Sequence, residues 1–225
     1  MTRALAWSWG GEHAEQMSLW QSGVLDLLLG VHCAGCEQPG ERWCDDCDQS
    51  VRPDPVEVDC EVWAAGLWRG RLRKAILAWK LDGVESLDRV LGLHLACAII
   101  ASGPPESFVI VPIPTTWRSR RERGRHAVLE AAKVAAGLLA MDGYRISIEQ
   151  VVSLRRQTRD QAFLTARMRA ANVRGSMVAK RRPSGPVIIV DDIVTTGSTL
   201  SEARRALGIA GAQAHARAAI AASPR

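Results

Sequence analysis

The chain has 225 residues, 47% apolar and 24% charged, a composition that supplies a buried core and excludes a disordered polymer. With 19 glycines, 10 prolines and no internal repeat, collagen-like and low-complexity architectures are excluded too. The net charge of +5 hides an asymmetry: residues 1–62 hold 12 acidic and 3 basic side chains, residues 63–225 hold 12 and 26. This sign change, close to Pro53 and Pro55, predicts a small acidic module over 1–60 and a basic domain over 61–225. The basic part suits a polyanion, either nucleic acid or a small phosphorylated ligand.

At the N-terminus, residues 17–31 carry Met17, Trp20, Val24, Leu25 and Leu28 at helical spacing and predict a short helix. The apolar run Val24–Val31 is broken by Asp26 and falls far short of the ~20 residues of a membrane span. Glu12 and Glu15 stand where a secretion signal has basic residues, so a soluble, cytoplasmic protein is expected, without a membrane partner.

Next come Cys33, Cys36, Cys44 and Cys47, spaced C-x2-C-x7-C-x2-C. Two C-x-x-C turns supply four thiolates for tetrahedral Zn2+, and a four-Cys site with no open position is structural rather than catalytic. The reading is a zinc ribbon or knuckle, with Gly35 and Gly40 easing its turns and about one zinc per chain. Binding of that kind contributes roughly 10–16 kcal/mol of apparent folding energy to a small segment. Cys60 and Cys97 are expected as buried small hydrophobes.

From residue 61 strands and helices alternate. Strands are expected at Glu61–Leu67, Phe108–Ile113, Ile148–Leu154, Pro186–Val190 and Ala212–Ile220. Helices are expected at Gly70–Lys80, Ser86–Ala101, Gly124–Met141 and Ser198–Leu207. Trp68 and Trp79 are read as core. The alternation predicts a doubly wound, mostly parallel α/β sheet whose ligands sit at the carboxyl ends of strands.

The sharpest signal is Val187 through Thr199, VIIVDDIVTTGST. A run of β-branched residues makes a buried strand, two carboxylates close it, and a hydroxyl- and glycine-rich loop opens a helix. Backbone N–H groups at such a helix start form an anion cradle, and paired carboxylates before it accept hydrogen bonds from vicinal sugar hydroxyls. A sugar bearing a terminal phosphate satisfies both halves. The rival Walker B reading lacks its G-x-x-x-x-G-K-[ST] partner, and no G-x-G-x-x-G is present.

These thirteen residues resemble, position for position, the 5-phosphoribosyl 1-pyrophosphate (PRPP) motif of type I phosphoribosyltransferases. The resemblance implies that Asp191 and Asp192 hold the ribose hydroxyls and that Thr195, Thr196, Gly197, Ser198 and Thr199 hold the 5′-phosphate. With four cysteines ahead of it, the chain resembles the ComF family, competence-associated proteins with a phosphoribosyltransferase-like domain. Further matches are Leu72…Lys80, Val111-Pro112-Ile113-Pro114 leading to Arg123-Gly124, and Arg155…Thr158…Gln161…Leu164…Arg167…Asn172. The family usually continues Arg-Gly with Phe-Asn-Gln, where this chain has Arg125, His126 and Ala127.

By the same resemblance, Arg118, Arg123 and Gly124 belong to a pyrophosphate loop, and a basic segment over 154–182 is a flexible loop closing over PRPP. The latter contains Arg155, Gln161, Arg167 and Asn172. The implied activity is transfer of phosphoribosyl from Mg2+-PRPP to a small, nitrogenous acceptor with release of pyrophosphate, in nucleotide metabolism. No residue suggests itself as a general base. The competing reading is a non-catalytic accessory protein of DNA uptake that binds PRPP, a nucleotide or nucleic acid. Direct nucleic-acid contact is not favoured, because Phe163 is the only aromatic ring in the basic segment. The acceptor and any oligomer are not legible.

Overall fold

The computed structural model describes residues 30–115, 125–155 and 173–224. In chain order these form α1 (Asp45–Ser50), β1 (Val56–Asp59), β2 (Val62–Ala64), α2 (Gly70–Leu81), α3 (Leu87–Ala101), β3 (Ser107–Pro112) and α4 (Ala127–Met141). There follow β4 (Arg145–Ile148), β5 (Val152–Leu154), β6 (Met177–Ala179), β7 (Val187–Val194), α5 (Ser198–Ile209) and β8 (Ala214–Ala222). Six strands make one sheet in the order β1-β2-β8-β7-β3-β4, and only the β1–β2 pairing is antiparallel. The fold is mixed α/β with a mostly parallel sheet. Among the described residues no helix is long and apolar enough to cross a membrane.

The sheet is covered on both faces because β7 is apolar on both. Ile188 and Val190 pack with Ile76 of α2, Leu91 and Leu95 of α3, and Ala131 and Ala135 of α4. Val187 and Ile189 point the other way, into a second cluster with Leu200, Ala203 and Leu207 of α5. That is the period-2 alternation of a strand, with branched side chains filling each side. The alternation slips across Asp191-Asp192: Ile193 packs with the first cluster and Val194 with the second. α3 crosses α4 closely at Gly92, where an added Cβ would lie 2.5 Å from Val134 Cβ.

Several expected boundaries move. The single strand expected over Ile148–Leu154 is two: β4 ends at Ile148 in the main sheet, and β5 pairs with β6 in a separate antiparallel ribbon. Glu149 breaks the run, its carboxylate accepting from Ser184 N and Oγ and pairing with Arg181 at 2.7 Å. β7 continues past Val190 to Val194, because Ile193 and Val194 still pair with Ala221 and Ala222 of β8. The strand expected over 61–67 shortens to β2, Leu67 keeping one isolated bridge to Ala222. The helix expected over 17–31 lies outside the described residues as far as Leu29. Cys60 is exposed and Cys97 half-buried, not core, since Cys60 sits in the turn of the β1–β2 hairpin.

That hairpin spans the division expected near residue 60, and β1 is an edge strand of the main sheet. The cysteine module also shares the first core cluster, where Cys33, Trp43, Cys47 and Val51 are buried with residues of α2 and α3. Two polar contacts reinforce the seam: Lys74 Nζ donates to Gly35 O at 2.9 Å, and Arg89 pairs with Asp48 at 2.8 Å.

Candidate functional site

Topology singles out one end of the sheet. From β3 the chain runs through α4 to β4 on one side, and from β7 through α5 to β8 on the other. The two crossovers diverge, with α4 on one face and α5 on the opposite one. Adjacent strands whose connections part in this way open a crevice beyond their carboxyl ends, where ligands of α/β proteins bind. β7 delivers Asp191, Asp192 and the Thr195–Thr199 loop to that end.

The two carboxyl groups differ in environment. Asp191 is 9% exposed, and its Oδ1 accepts the Asp192 N–H at 2.8 Å. Burial first, and the neighbouring Asp192 charge second, push its carboxyl up to about 8, so it holds a proton at neutral pH. Asp192 is half-buried, and its Oδ2 lies 2.6 Å from Lys80 Nζ. Lys80 occupies the last turn of α2, where the carbonyl end of a helix favours a cation.

Past the carboxyl pair the chain turns through Gly197, which has φ +71° and ψ 3°. This left-handed conformation is accessible to glycine at little cost, and it aims the first turn of α5 at the crevice. Thr196 Oγ1 and Ser198 Oγ are 2.7 Å apart, and Thr195 and Thr196 are exposed. At the α5 N-terminus the capping position is Gly197, which offers no side chain, the first turn has no acidic residue, and Ser198 N donates to Thr196 Oγ1 at 3.4 Å. The leading N–H groups of α5 and these hydroxyls bring together donors of the kind that holds phosphate.

Of the other expected residues, Arg118, Arg123, Gly124, Gln161, Arg167 and Asn172 lie outside the described residues. Arg155 is exposed at the end of β5, its N–H donating to Ser176 O at 2.8 Å. The β5–β6 ribbon that carries it rests on α5. Glu202, 4% exposed and one turn into that helix, accepts Met177 N at 3.1 Å and pairs with Arg205 at 2.7 Å. The Arg205 hydrogen bonds hold the Glu202 carboxyl down to about 2.

Sequence reasoning missed Glu202, although the Glu202–Arg205 spacing of three on a helix was a signal for the pair. The contact of Lys80 with Asp192 was missed as well. Arg125 and His126, where the chain departs from the ComF pattern, have structural partners. Arg125 pairs with Asp88, whose Oδ1 also accepts Trp79 Nε1 at 2.6 Å. His126 Nδ1 accepts Leu129 N at 3.1 Å and caps α4.

The four cysteine ligand atoms of Cys33, Cys36, Cys44 and Cys47 all lie within 4.8 Å of one another. Two amides, Gly35 N and Cys44 N, each stand 3.4 Å from Cys33 Sγ. Burial pushes the Cys33 thiol up, but hydrogen bonds from the Cys44, Cys36 and Gly35 amides and from the Cys44 side chain together bring it down to about 6. The first pair sits in a turn and the second opens α1, whose first turn carries Asp45, Asp46 and Asp48. Gly35 is required by proximity: a Cβ there would lie 2.5 Å from Cys47 Sγ and 2.9 Å from Trp43 Cζ3. Four converging soft donors with amide hydrogen bonds to sulfur fit a zinc ion, which they could hold with no position left open.

No family model matches the chain, and no curated protein does. Among solved structures it resembles a UMP synthase of Leishmania donovani at a TM-score of 0.35 and 16% identity. That likeness covers 66% of this chain and 24% of the other.

Proposed function

We propose that this chain is a PRPP-binding, phosphoribosyltransferase-like protein of the ComF type. It would transfer phosphoribosyl from Mg2+-PRPP to a nitrogenous acceptor, with residues 61–225 supplying the site and the cysteines of 1–60 holding structural zinc. The observation that carries the reading is one continuous unit. A carboxyl pair, a Gly197 turn and a helix start with no acidic residue succeed one another at the carboxyl end of β7, beside β3. Few small ligands ask for hydroxyl acceptors and a phosphate cradle this close together; a ribose 5-phosphate moiety does.

In this reading the Thr195–Thr199 donors hold the 5′-phosphate and the carboxyl groups hold the ribose hydroxyls. That clamps the sugar so that C1′ faces the loop following β3, where Arg118 and Arg123 would meet the pyrophosphate. The C1′–O bond breaks with its electron pair leaving on pyrophosphate, the acceptor nitrogen bonds to C1′, and the nitrogen sheds its proton. Guanidinium groups offset the charge that develops on the leaving group, so positioning and electrostatics carry the rate. Ribbon β5–β6, anchored to α5 by Glu202, would carry the segment from Arg155 to Asn172 that covers the reacting centre and excludes water.

One observation favours a second reading, in which PRPP or a nucleotide is bound without turnover. Arg125 and His126 replace the family's usual residues and are engaged with Asp88 and the α4 N-terminus. Pyrophosphate release from Mg2+-PRPP, assayed across a panel of nucleobases and small amines, separates the two. Acceptor-dependent release establishes the transferase, and tight binding with no release for any acceptor establishes the binding protein.

A further inference from the structure

Two adjacent carboxyl groups stand in the last half of β7, and among the described residues one cation, Lys80, is ion-paired with the pair, through Asp192. Lys80 arrives from α2, far from β7 in sequence, and its Nζ reaches Asp192 Oδ2 at 2.6 Å with about a quarter of its side chain exposed. Asp191 lies deeper, its Oδ1 committed to the Asp192 N–H. Trp79, the residue before Lys80, is 1% exposed, and its indole N–H donates to Asp88, which fixes this end of α2.

We infer that Lys80 is a positioning residue for this site: reaching in from α2, it fixes the orientation of the Asp192 carboxyl beside the deeper Asp191, so that the two present unlike faces to a ligand. The identity of the ligand rests on the PRPP reading above; the arrangement of the pair does not.

Charge counting leads there. Two ionised carboxylates beside one ammonium leave a net negative charge in a largely buried place, which burial penalises. The cation touches the more exposed carboxyl, Asp192, and leaves the deeper Asp191 to the effect of burial. An ionised carboxylate only accepts hydrogen bonds, while a protonated one donates one and accepts others. A vicinal diol, each of whose hydroxyls both donates and accepts, is met by one group of each kind. The groups bearing on Asp191 are Asp192 on its own strand, whose charge raises its proton affinity while its N–H lowers it, and Lys80 on α2, which lowers it. Removing Lys80 therefore drives the Asp191 proton affinity higher and releases the Asp192 carboxylate from its fixed orientation.

The test uses the zinc-loaded full chain as wild type, Lys80→Met, Lys80→Arg and, as a second neutral variant in case Met impairs folding, Lys80→Gln. Without ligand, carbon-13 resonances of labelled aspartates, assigned with Asp191→Asn, report the Asp191 titration. Its midpoint should rise by about one pH unit in the neutral variants and return in Lys80→Arg. With Mg2+-PRPP at pH 7, calorimetry should show the neutral variants weaker by about tenfold or more, with Lys80→Arg restoring most of the loss. An Asp191 titration that ignores Lys80 overturns the inference whatever PRPP does. So does wild-type binding of PRPP that the neutral variants match. A titration that shifts as expected in a protein that binds no PRPP supports the pairing and overturns the ligand reading alone.

Discussion

Replacing Asp191 with Asn removes a buried ionisable group while keeping its shape and the acceptor for the Asp192 N–H. In the folded protein burial first, and the Asp192 charge second, push the Asp191 carboxyl up to about 8 from an ordinary value near 3.8. Between those limits the native state binds a proton that the unfolded chain has lost, so stability falls as pH rises. Each pH unit in that window is worth up to about 1.4 kcal/mol for one proton. From pH 5 to pH 8 the ceiling is about 4 kcal/mol, and relaxation around a carboxyl that is 9% exposed brings the expected change to about 2–3 kcal/mol. Urea unfolding of the zinc-loaded protein at pH 5, 6, 7 and 8, wild type beside Asp191→Asn, isolates the contribution of the carboxyl pair, because groups away from Asp191, Asp192 and Lys80 titrate alike in both. The variant should match the wild type within about 1 kcal/mol at pH 5 and exceed it by about 2–3 kcal/mol at pH 8. A difference that stays flat across this range, or one that grows in favour of the wild type, refutes the assignment of a protonated, buried Asp191.

Two further outcomes follow from local geometry. Gly35→Ala should displace Cys47 Sγ or Trp43 by roughly 1 Å, well beyond the ~0.2 Å tolerance of a zinc–ligand distance. Competition with a chromogenic chelator should show zinc affinity falling at least about tenfold, and unchanged affinity would remove the cysteine cluster's claim to a tight metal fit. Glu202→Gln should loosen the β5–β6 ribbon by about 1–3 kcal/mol, because Met177 N and Arg205 lose a charged acceptor. Its depressed carboxyl adds stability that is present above pH 4.5 and is lost as pH falls toward 2. Hydrogen exchange at Met177–Ala179 should accelerate in the variant near pH 7, and unaltered protection would contradict the anchoring role.

The candidate site was legible where chemistry and chain order coincide. Val187–Thr199 shows its strand, carboxyl pair and loop in consecutive residues, and the four cysteines fall within fifteen positions. The long helices were legible too, since Leu72, Ile76 and Trp79 repeat at helical spacing and are buried in α2. What escaped is tertiary. The Lys80–Asp192 pair joins residues more than a hundred positions apart, and Arg125 finds Asp88 across 37. No local pattern encodes either contact. The short elements α1 and β6 escaped because six and three residues leave too little periodicity to read. The end of β7 was misplaced because carboxylates read as a strand terminus, whereas pairing with Ala219, Ala221 and Ala222 carries the strand past them.

The central claim is that the end of β7 binds PRPP through its carboxyl pair and its hydroxyl loop. Calorimetric titration of the zinc-loaded protein with PRPP and Mg2+, beside the Asp191→Asn/Asp192→Asn double variant, tests it most directly. The account predicts micromolar binding in the wild type that the double variant loses, a change of about two orders of magnitude or more. A wild type that binds no PRPP, or a double variant that binds it equally well, would contradict the account.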